Sequence, residues 1–554
     1  MKIIRTICTL LFGVAVLLFF GLAYPHHLHY QEQYQLFFFD SNYVWEIVKL
    51  PGGLSDLLGR FCTQFFLFAW VGAAIIALLL SLVQLLTLRQ ACSRTSQTTG
   101  QGGGWLYGLS FVPSFLLWLF LLDENALLGG VWAVLLTLLA SWSFDRLPSG
   151  WVRRISLIAA IPILYWMVGP VCVLFFLLQA PWFKGKQRSA SPLTSLWYFG
   201  VFVLLAVMLF ILASYIPVPA EKLWFGIHYH RYPTVFPTLL WAAALSVFVL
   251  ALLACVFHHF LQTKNTKSHS VQNKNFQSSA RPAGTLARAR IFNFQSSIFN
   301  LQSSIFNLQS SIFLFVAVVM GWLVWNNSNF RAEKVMQYDF MARHQQWNRI
   351  LETINVEKPN NQIGVTVQNL ALAMRGMLLD HMLDYHQNGI SGLLPDVETD
   401  ATSPLPTAEV FYQLGMINVA QRSVFEAQEA ILDFQKSGRC YKRLAQTNLI
   451  NGNYEVARKY LLALQKTLFY KDWANETLPL LGDEKAIANH PEYGHLRKMA
   501  YKDDFFFSDH VTPEMLQSLY YSNKDNSMAY QYLLAYYVLT GDREGYNNFI
   551  SNKQ

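Results

Sequence analysis

Few stretches of this chain carry side chains suited to chemistry. In PHHLHYQE, His26, His29 and Glu32 recur at every third position, so on a helix they share a face. Two imidazoles and a carboxylate on one face are a conceivable metal set; interfacial groups bonded to headgroups and water are the plainer account. Glu32 and Asp40 are acids in a loop directly after an apolar run. An acid there lies at the membrane surface, as does the phosphate of a lipid-linked sugar donor, so both are candidate catalytic residues by analogy with multi-span glycosyltransferases. A later loop, PVPAEKLWFGIHYHRYP, supplies Lys222, His228, His230 and Arg231, which suit an anionic lipid phosphate. The plainer account is a wet loop with Arg231 snorkelling at the interface. His381, Asp384, His386 and His490 are scattered, and Asp380 with Asp384 makes an ordinary solvated helix face. No GxSxG, HExxH or phosphate-cradling glycine loop occurs. No cofactor is expected, and an enzyme ranks below a binding protein.

The elements that position these residues are set by composition. The chain has 554 residues, 53% of them hydrophobic and 14% charged, a membrane-protein balance. Apolar runs lie at 4–24, 62–88, 105–122, 126–142, 155–180, 193–216, 234–257 and 312–325. Most approach the roughly 20 residues a spanning helix needs. The first, behind Lys2 and Arg5, reads as an uncleaved span rather than a signal peptide. Beyond Asn326 the composition is that of a soluble domain. Up to Ser311 there are 20 Lys/Arg against eight Asp/Glu; beyond it, 22 against 26. The basic excess therefore reports membrane orientation, and nucleic acid is not an expected partner. The six cysteines build no disulfide framework and no CxxC pair.

Residues 155–180 decide the sidedness of every later segment. They carry no charge, and the Gly169-Pro170 pair and Pro162 interrupt them. With the N-terminus in the cytoplasm and this stretch folded as a two-pass hairpin, the inner segments before the last span carry sixteen Lys/Arg and the outer loops four. A single pass gives nine against eleven. The positive-inside bias selects the hairpin. About nine spans result, one of them a short Pro/Gly-broken hairpin, and the C-terminal domain lies outside the cytoplasm.

Four parts are expected: a multi-span domain over 1–260, a cytoplasmic low-complexity loop over 261–311, a last span over 312–326 and a helical domain over 327–554. The loop contains FQSSIFN, LQSSIFN and LQSSIF in tandem, read as a sequence expansion rather than a coiled coil. In the tail, Trp347, Ile350, Leu351 and Ile354 share a helical face. The unit YKRLAQTNLINGNYEVARKYLLALQKT resembles a tetratricopeptide repeat, with Gly452, Tyr454, Ala457, Leu461 and Leu464 at the signature offsets. That resemblance implies an α-solenoid whose concave surface binds a protein or peptide.

Gln31-Glu32-Gln33, Pro51-Gly52-Gly53, Asn369-Leu370-Ala371-Leu372, Gln387-Asn388-Gly389 and the stretch from Ala529 to Leu539 carry a second resemblance. The chain resembles an uncharacterised, domain-of-unknown-function family of multi-span inner-membrane proteins of Gram-negative bacteria. The resemblance implies a layout and a periplasmic tail, with no activity to carry over. The expectation is an all-α protein: a polytopic helix bundle in the inner membrane, with the lipid bilayer as one partner and a protein or peptide on the periplasmic tail as another. A lipid-linked glycosyltransferase with its site in the outer loops is the alternative. A transporter is the third reading, weakened by spans without charge after Arg5.

Overall fold

A computed structural model describes residues 2–93, 104–148, 151–180, 220–226, 228–232, 234–276, 311–396, 402–432, 435–501 and 510–551, with short pieces between 199 and 216. Among these residues every regular element is helical, and the one β-type pairing is a bridge between Ala126 and His230. The QSSIFN repeats before Ser311 lie outside the described residues. The chain divides into two compact units, one of Met1–Ala23, Val44–Cys62 and Trp70–Ser328, the other of Tyr24–Tyr43, Thr63–Ala69 and Asn329–Gln554.

In the first unit, Ile3–Ala23, Ala69–Ser93, Trp151–Gln179 and Thr238–Phe257 are long and apolar enough to cross a membrane. Ser311–Asn327 makes a fifth such segment when joined across a break to Phe330–Arg343, and Trp105–Phe120 and Leu128–Phe144 are shorter apolar helices. Trp151–Gln179 qualifies as a single span by length and composition, but it is not straight. The Arg153 guanidinium donates to Gln179 Oε1 at 2.8 Å. A continuous helix would separate those residues by about 39 Å, beyond the reach of two side chains, so the geometry outweighs the length criterion. The reversal lies at Gly169–Cys172, a 3-10 turn with Gly169 at φ +71°, which only glycine adopts without strain. Pro162 sits within the Trp151–Val168 helix without ending it. The arms are unequal, an 18-residue helix outward and the turn plus seven-residue Val173–Gln179 helix back.

Both arms pack on Leu128–Phe144. At that helix's C-terminal end, Gln179 Nε2 donates to Ser141 Oγ at 3.0 Å and to Asp145 at 3.1 Å, and Arg153 lies 3.5 Å from Asp145. Arg89 and Arg146 both stack on Trp142. At its N-terminal end, Gly129 meets Gly59 so closely that a Cβ on Gly59 would come within 2.5 Å of the Gly129 nitrogen. The two ends of this unit therefore differ in chemistry.

The second unit is built of helix pairs joined by tight turns. Pro404–Leu414 pairs with Ile417–Glu429, Gly438–Ile450 with Tyr454–Leu464 and Pro513–Ser522 with Ser527–Thr540. Gly452, at φ +79°, makes the turn within the second pair. Ala457, Leu461 and Leu464 are fully buried, as small and apolar residues on the facing side of a helix pair must be. Tyr454 bonds through its hydroxyl to Glu484 and Arg497. Trp347, Ile350 and Ile354 are buried on one face.

With cysteines placed at 153 and 179 in an otherwise cysteine-free protein, a short bis-maleimide reagent is expected to link the two positions within one chain. Mass spectrometry of the digest reads the linked peptide pair, and an unbroken helix would yield none.

Candidate functional site

The loop residues singled out from sequence fall in both units, and each set is described within its own. In the first unit, the Gly53–Thr63 helix follows the Pro51-Gly52-Gly53 turn, with Gly52 at φ +79°. On that helix Arg60 pairs with Asp56, one turn earlier, through Nε and Nη2 at 2.9 Å each. His228 Nδ1 lies 3.7 Å from the same carboxylate. Burial would raise the Asp56 carboxyl, but the Arg60 and His228 charges and the Arg60 hydrogen bond hold it below the usual carboxylate range. The loop carrying His228 is pinned to the turn before Leu128–Phe144. Leu127 N–H donates to Tyr229 O at 3.0 Å and Arg231 N–H to Asn125 O at 2.8 Å. His230 Nε2 stands 3.0 Å from Asp123 Oδ2. Lys222, on the Ala220–Phe225 helix, is buried, as are His228, His230 and Arg231. The four residues expected to hold an anion thus come with two acids, Asp56 and Asp123, that sequence reasoning does not select.

In the second unit, Tyr24–Tyr43 runs among tail residues. Glu333 accepts the backbone N–H groups of His26 and His27, at 2.7 and 2.9 Å, and so caps the Pro25–Glu32 helix, whose first N–H is absent because Pro25 opens it. Burial outweighs these two bonds and pushes the Glu333 carboxyl up to about 7. His29 stacks on Phe340 with ring centroids 4.4 Å apart, and its Nδ1 lies 3.0 Å from Phe66 O. Burial, with the nearby positive groups, lowers His26 to about 4 and His29 to about 3. Glu32 is buried and accepts the Tyr470 hydroxyl at 3.0 Å; burial raises its carboxyl against the opposing Arg343 charge. Asp40 pairs with Lys466. Among the described residues no group of three or more His, Cys, Asp or Glu is arranged to hold a metal.

Beneath this segment lies an ion network. Arg439 makes a two-pronged pair with Asp339 at 2.6 and 2.8 Å, reaches Glu409 at 3.5 Å and donates to Gln33 at 3.2 Å. Arg443, one turn on, pairs with Glu409 at 2.5 Å and lies over the Tyr412 ring at 3.6 Å. Burial would raise Glu409, but the two guanidiniums hold it below its ordinary value.

The whole chain, residues 1–554, matches the family described as "Family of unknown function (DUF6057)". It belongs to DUF6057. No curated protein and no solved structure matches it.

In this DUF6057 chain the network residues and Asp56 carry only weak local signals. Arg439 and Arg443 are four apart on a helix whose face is otherwise buried, and Asp56 and Arg60 make a four-residue pair just after a Pro-Gly-Gly turn. Either spacing reads as a surface pair until the fold buries it.

The ion network and the histidines each make a stability prediction. Arg439→Ala leaves Asp339 without its two-pronged cation and Glu409 with Arg443 alone, so a loss of about 3–5 kcal/mol is expected by chemical unfolding. For His26 and His29, the unfolded imidazoles take protons near 6.5 while the folded ones resist until about 4 and about 3. Their contribution is present above pH 6.5 and is lost as pH falls toward 4. Glu333 acts with the opposite sign, since its raised carboxyl costs stability as pH climbs through about 7. The expected readout is therefore a difference: the stability gap between wild type and H26F/H29F narrows from pH 7 to pH 4.5.

Proposed function

We propose that this protein is a polytopic inner-membrane protein that holds its second unit in the periplasm as a platform for a protein or peptide partner. The observation that carries this reading is a furrow of about 870 Å³ on the second unit. It is lined from the Phe330–Arg343 helix and from the 357–361 turn, and it shares Val335 and Asn361 with a cavity of about 240 Å³. The helix pairs that follow, with the repeat-like Tyr454–Leu464 helix, support a solenoid-like character for the unit, and the furrow lies at the Phe330–Arg343 helix that precedes them.

The charge distribution in the first unit supports the orientation. Arg89, Arg146 and Arg153 gather at one end, around Trp142 and Asp145. The other end, around Gly129, holds Arg60, Arg231 and His228 together with two acids, Asp56 and Asp123, which offset its cations. The arginine-rich end reads as cytoplasmic. With the reversal at Gly169 counted as two passes, nine crossings carry the chain from a cytoplasmic N-terminus to a periplasmic second unit.

A second reading has an observation of its own. Lys222, Arg231, His228 and Arg60 are buried, Asp56 is buried against Arg60 and His228, and the exposed Asp123 meets His230; clustered ionisable groups at the end of a membrane bundle mark a functional site. Their chemistry suits the phosphate of a lipid-linked sugar, with Asp56 in the role first considered for Glu32 and Asp40.

Two measurements separate the readings. A photo-crosslinking residue at Asn360, in cells of the native host, is expected to yield discrete adducts that the same residue at exposed Val456 does not; no adduct sinks the platform. Asp56→Asn is expected to leave surface glycans unchanged if the platform is the function, and loss of a glycan with intact folding supports the transferase. A reporter active only in the cytosol, fused after Gln554, is expected to stay silent.

A further inference from the structure

We infer that the furrow selects an acidic, extended peptide segment: its carboxylates lie over Arg331, Lys334 and Lys358, and an apolar side chain enters the adjoining cavity. This rests on the platform reading and adds the chemistry of the partner.

The furrow is rich in donors. Arg331, Lys334 and Lys358 are exposed cations on its wall. Among the described residues the one acid lining it is Glu357, which already pairs with Lys334 at 3.1 Å and accepts the Tyr338 hydroxyl at 3.3 Å. Two of its asparagines use their carboxamide oxygens as helix caps: Asn329 Oδ1 accepts Ala332 N–H at 3.1 Å, and Asn361 Oδ1 accepts Gly364 N–H at 2.8 Å. What such a cap leaves is the NH2 end, a donor. A wall of guanidinium, ammonium and carboxamide N–H groups calls for a ligand made of acceptors with negative charge. Carboxylates and peptide carbonyls meet both demands.

The shape favours a peptide over a lone anion or a headgroup. The furrow continues at Val335 and Asn361 into a cavity whose lining includes Ile363, Pro395 and Pro406, with Thr366 and Thr407; the acid in that lining, Asp396, is paired with His510 at 2.6 Å. An anion alone would use only the cationic end. An extended chain places alternate side chains on alternate faces, so one charged and one apolar subsite in series suit it. Lys358 is held at φ +47°, a left-handed conformation that few non-glycine residues adopt. It ends the Trp347–Glu357 helix, and Pro359 turns the chain so that Lys358, Asn360 and Asn361 line one wall.

The test uses the full chain in nanodiscs and a fluorescein-labelled peptide of alternating Asp and Glu ending in leucine. Binding is read by fluorescence anisotropy beside the peptide's Asn/Gln counterpart, a version ending in serine, inorganic phosphate, and phosphatidylglycerol vesicles as competitors. The acidic peptide is expected to bind at least about tenfold tighter than its neutral counterpart, and R331E/K334E/K358E to abolish that preference, since like charges now face each other. The serine version is expected to bind more weakly. Equal affinity for acidic and neutral peptides overturns the inference, and so does full displacement by phosphate or by the vesicles, which would make the furrow an anion or headgroup site. The Asn360 crosslink, repeated in R331E/K334E/K358E, separates the two levels. Adducts that persist unchanged leave the platform standing and remove the acidic partner; adducts absent from wild type as well remove the platform.

Discussion

A hydrogen bond between Arg153 and Gln179 fixes the reversal of the chain within residues 151–179. Two side chains 26 positions apart in sequence meet only if the helix between them turns back. The residues that permit it are local. Gly169 takes a left-handed backbone conformation that other residues rarely adopt, and Pro170 gives up a donor that a continuing helix would need. The short return arm, whose seven-residue helix spans about 10 Å, is too short to cross a bilayer core by itself. It depends on packing against Leu128–Phe144 and on the bonds Gln179 makes to Ser141 and Asp145, where polar groups at the end of the bundle satisfy one another.

The second unit obeys a different constraint. Its Tyr24–Tyr43 segment is made some 300 residues before the tail it packs with. Leu36 N–H reaches Lys436 O and Phe39 N–H reaches Lys466 O at 2.9 and 2.6 Å, and Glu32 is buried against Tyr470. Burying a carboxylate costs stability unless partners surround it, and here the partner arrives last. The segment cannot reach this state until the tail exists, so the unit's folding is set by a very long-range closure.

What is legible in the sequence is what local periodicity encodes. Apolar runs mark the helices long and apolar enough to cross a membrane, because a segment facing lipid must be apolar along its length. The helical face of Trp347, Ile350 and Ile354 and the small and apolar residues Ala457, Leu461 and Leu464 mark a core face. The charge count around residues 155–180 and the Gly169-Pro170 pair point to the reversal, and the observed arms are unequal because that pair falls late in the segment. Tertiary pairing is not legible. Asp339 and Arg439 are a hundred residues apart, and nothing near either names the other. Glu32 and Asp40 look like free acids in a wet loop for the same reason: a loop sequence does not declare that a distant domain encloses it. Asp56 does not stand out because an i, i+4 pair with Arg60 is ordinary on a surface and changes meaning only when buried.

Arg331 and Lys334 bear on the two proposals together. They begin the helix that follows Ser311–Asn327, within a few residues of a span end. In the proposed orientation that end is periplasmic, where Lys and Arg near a span are disfavoured; the outer loops before it hold only four. Two exposed cations at this position run against the trend that organises the rest of the membrane half. Packing does not require them, since both are exposed, and Glu357 meets only Lys334. A reason that outweighs the orientation bias is a negatively charged partner met on the outer side, and the donor-rich wall that continues to Lys358 gives that partner an extended form.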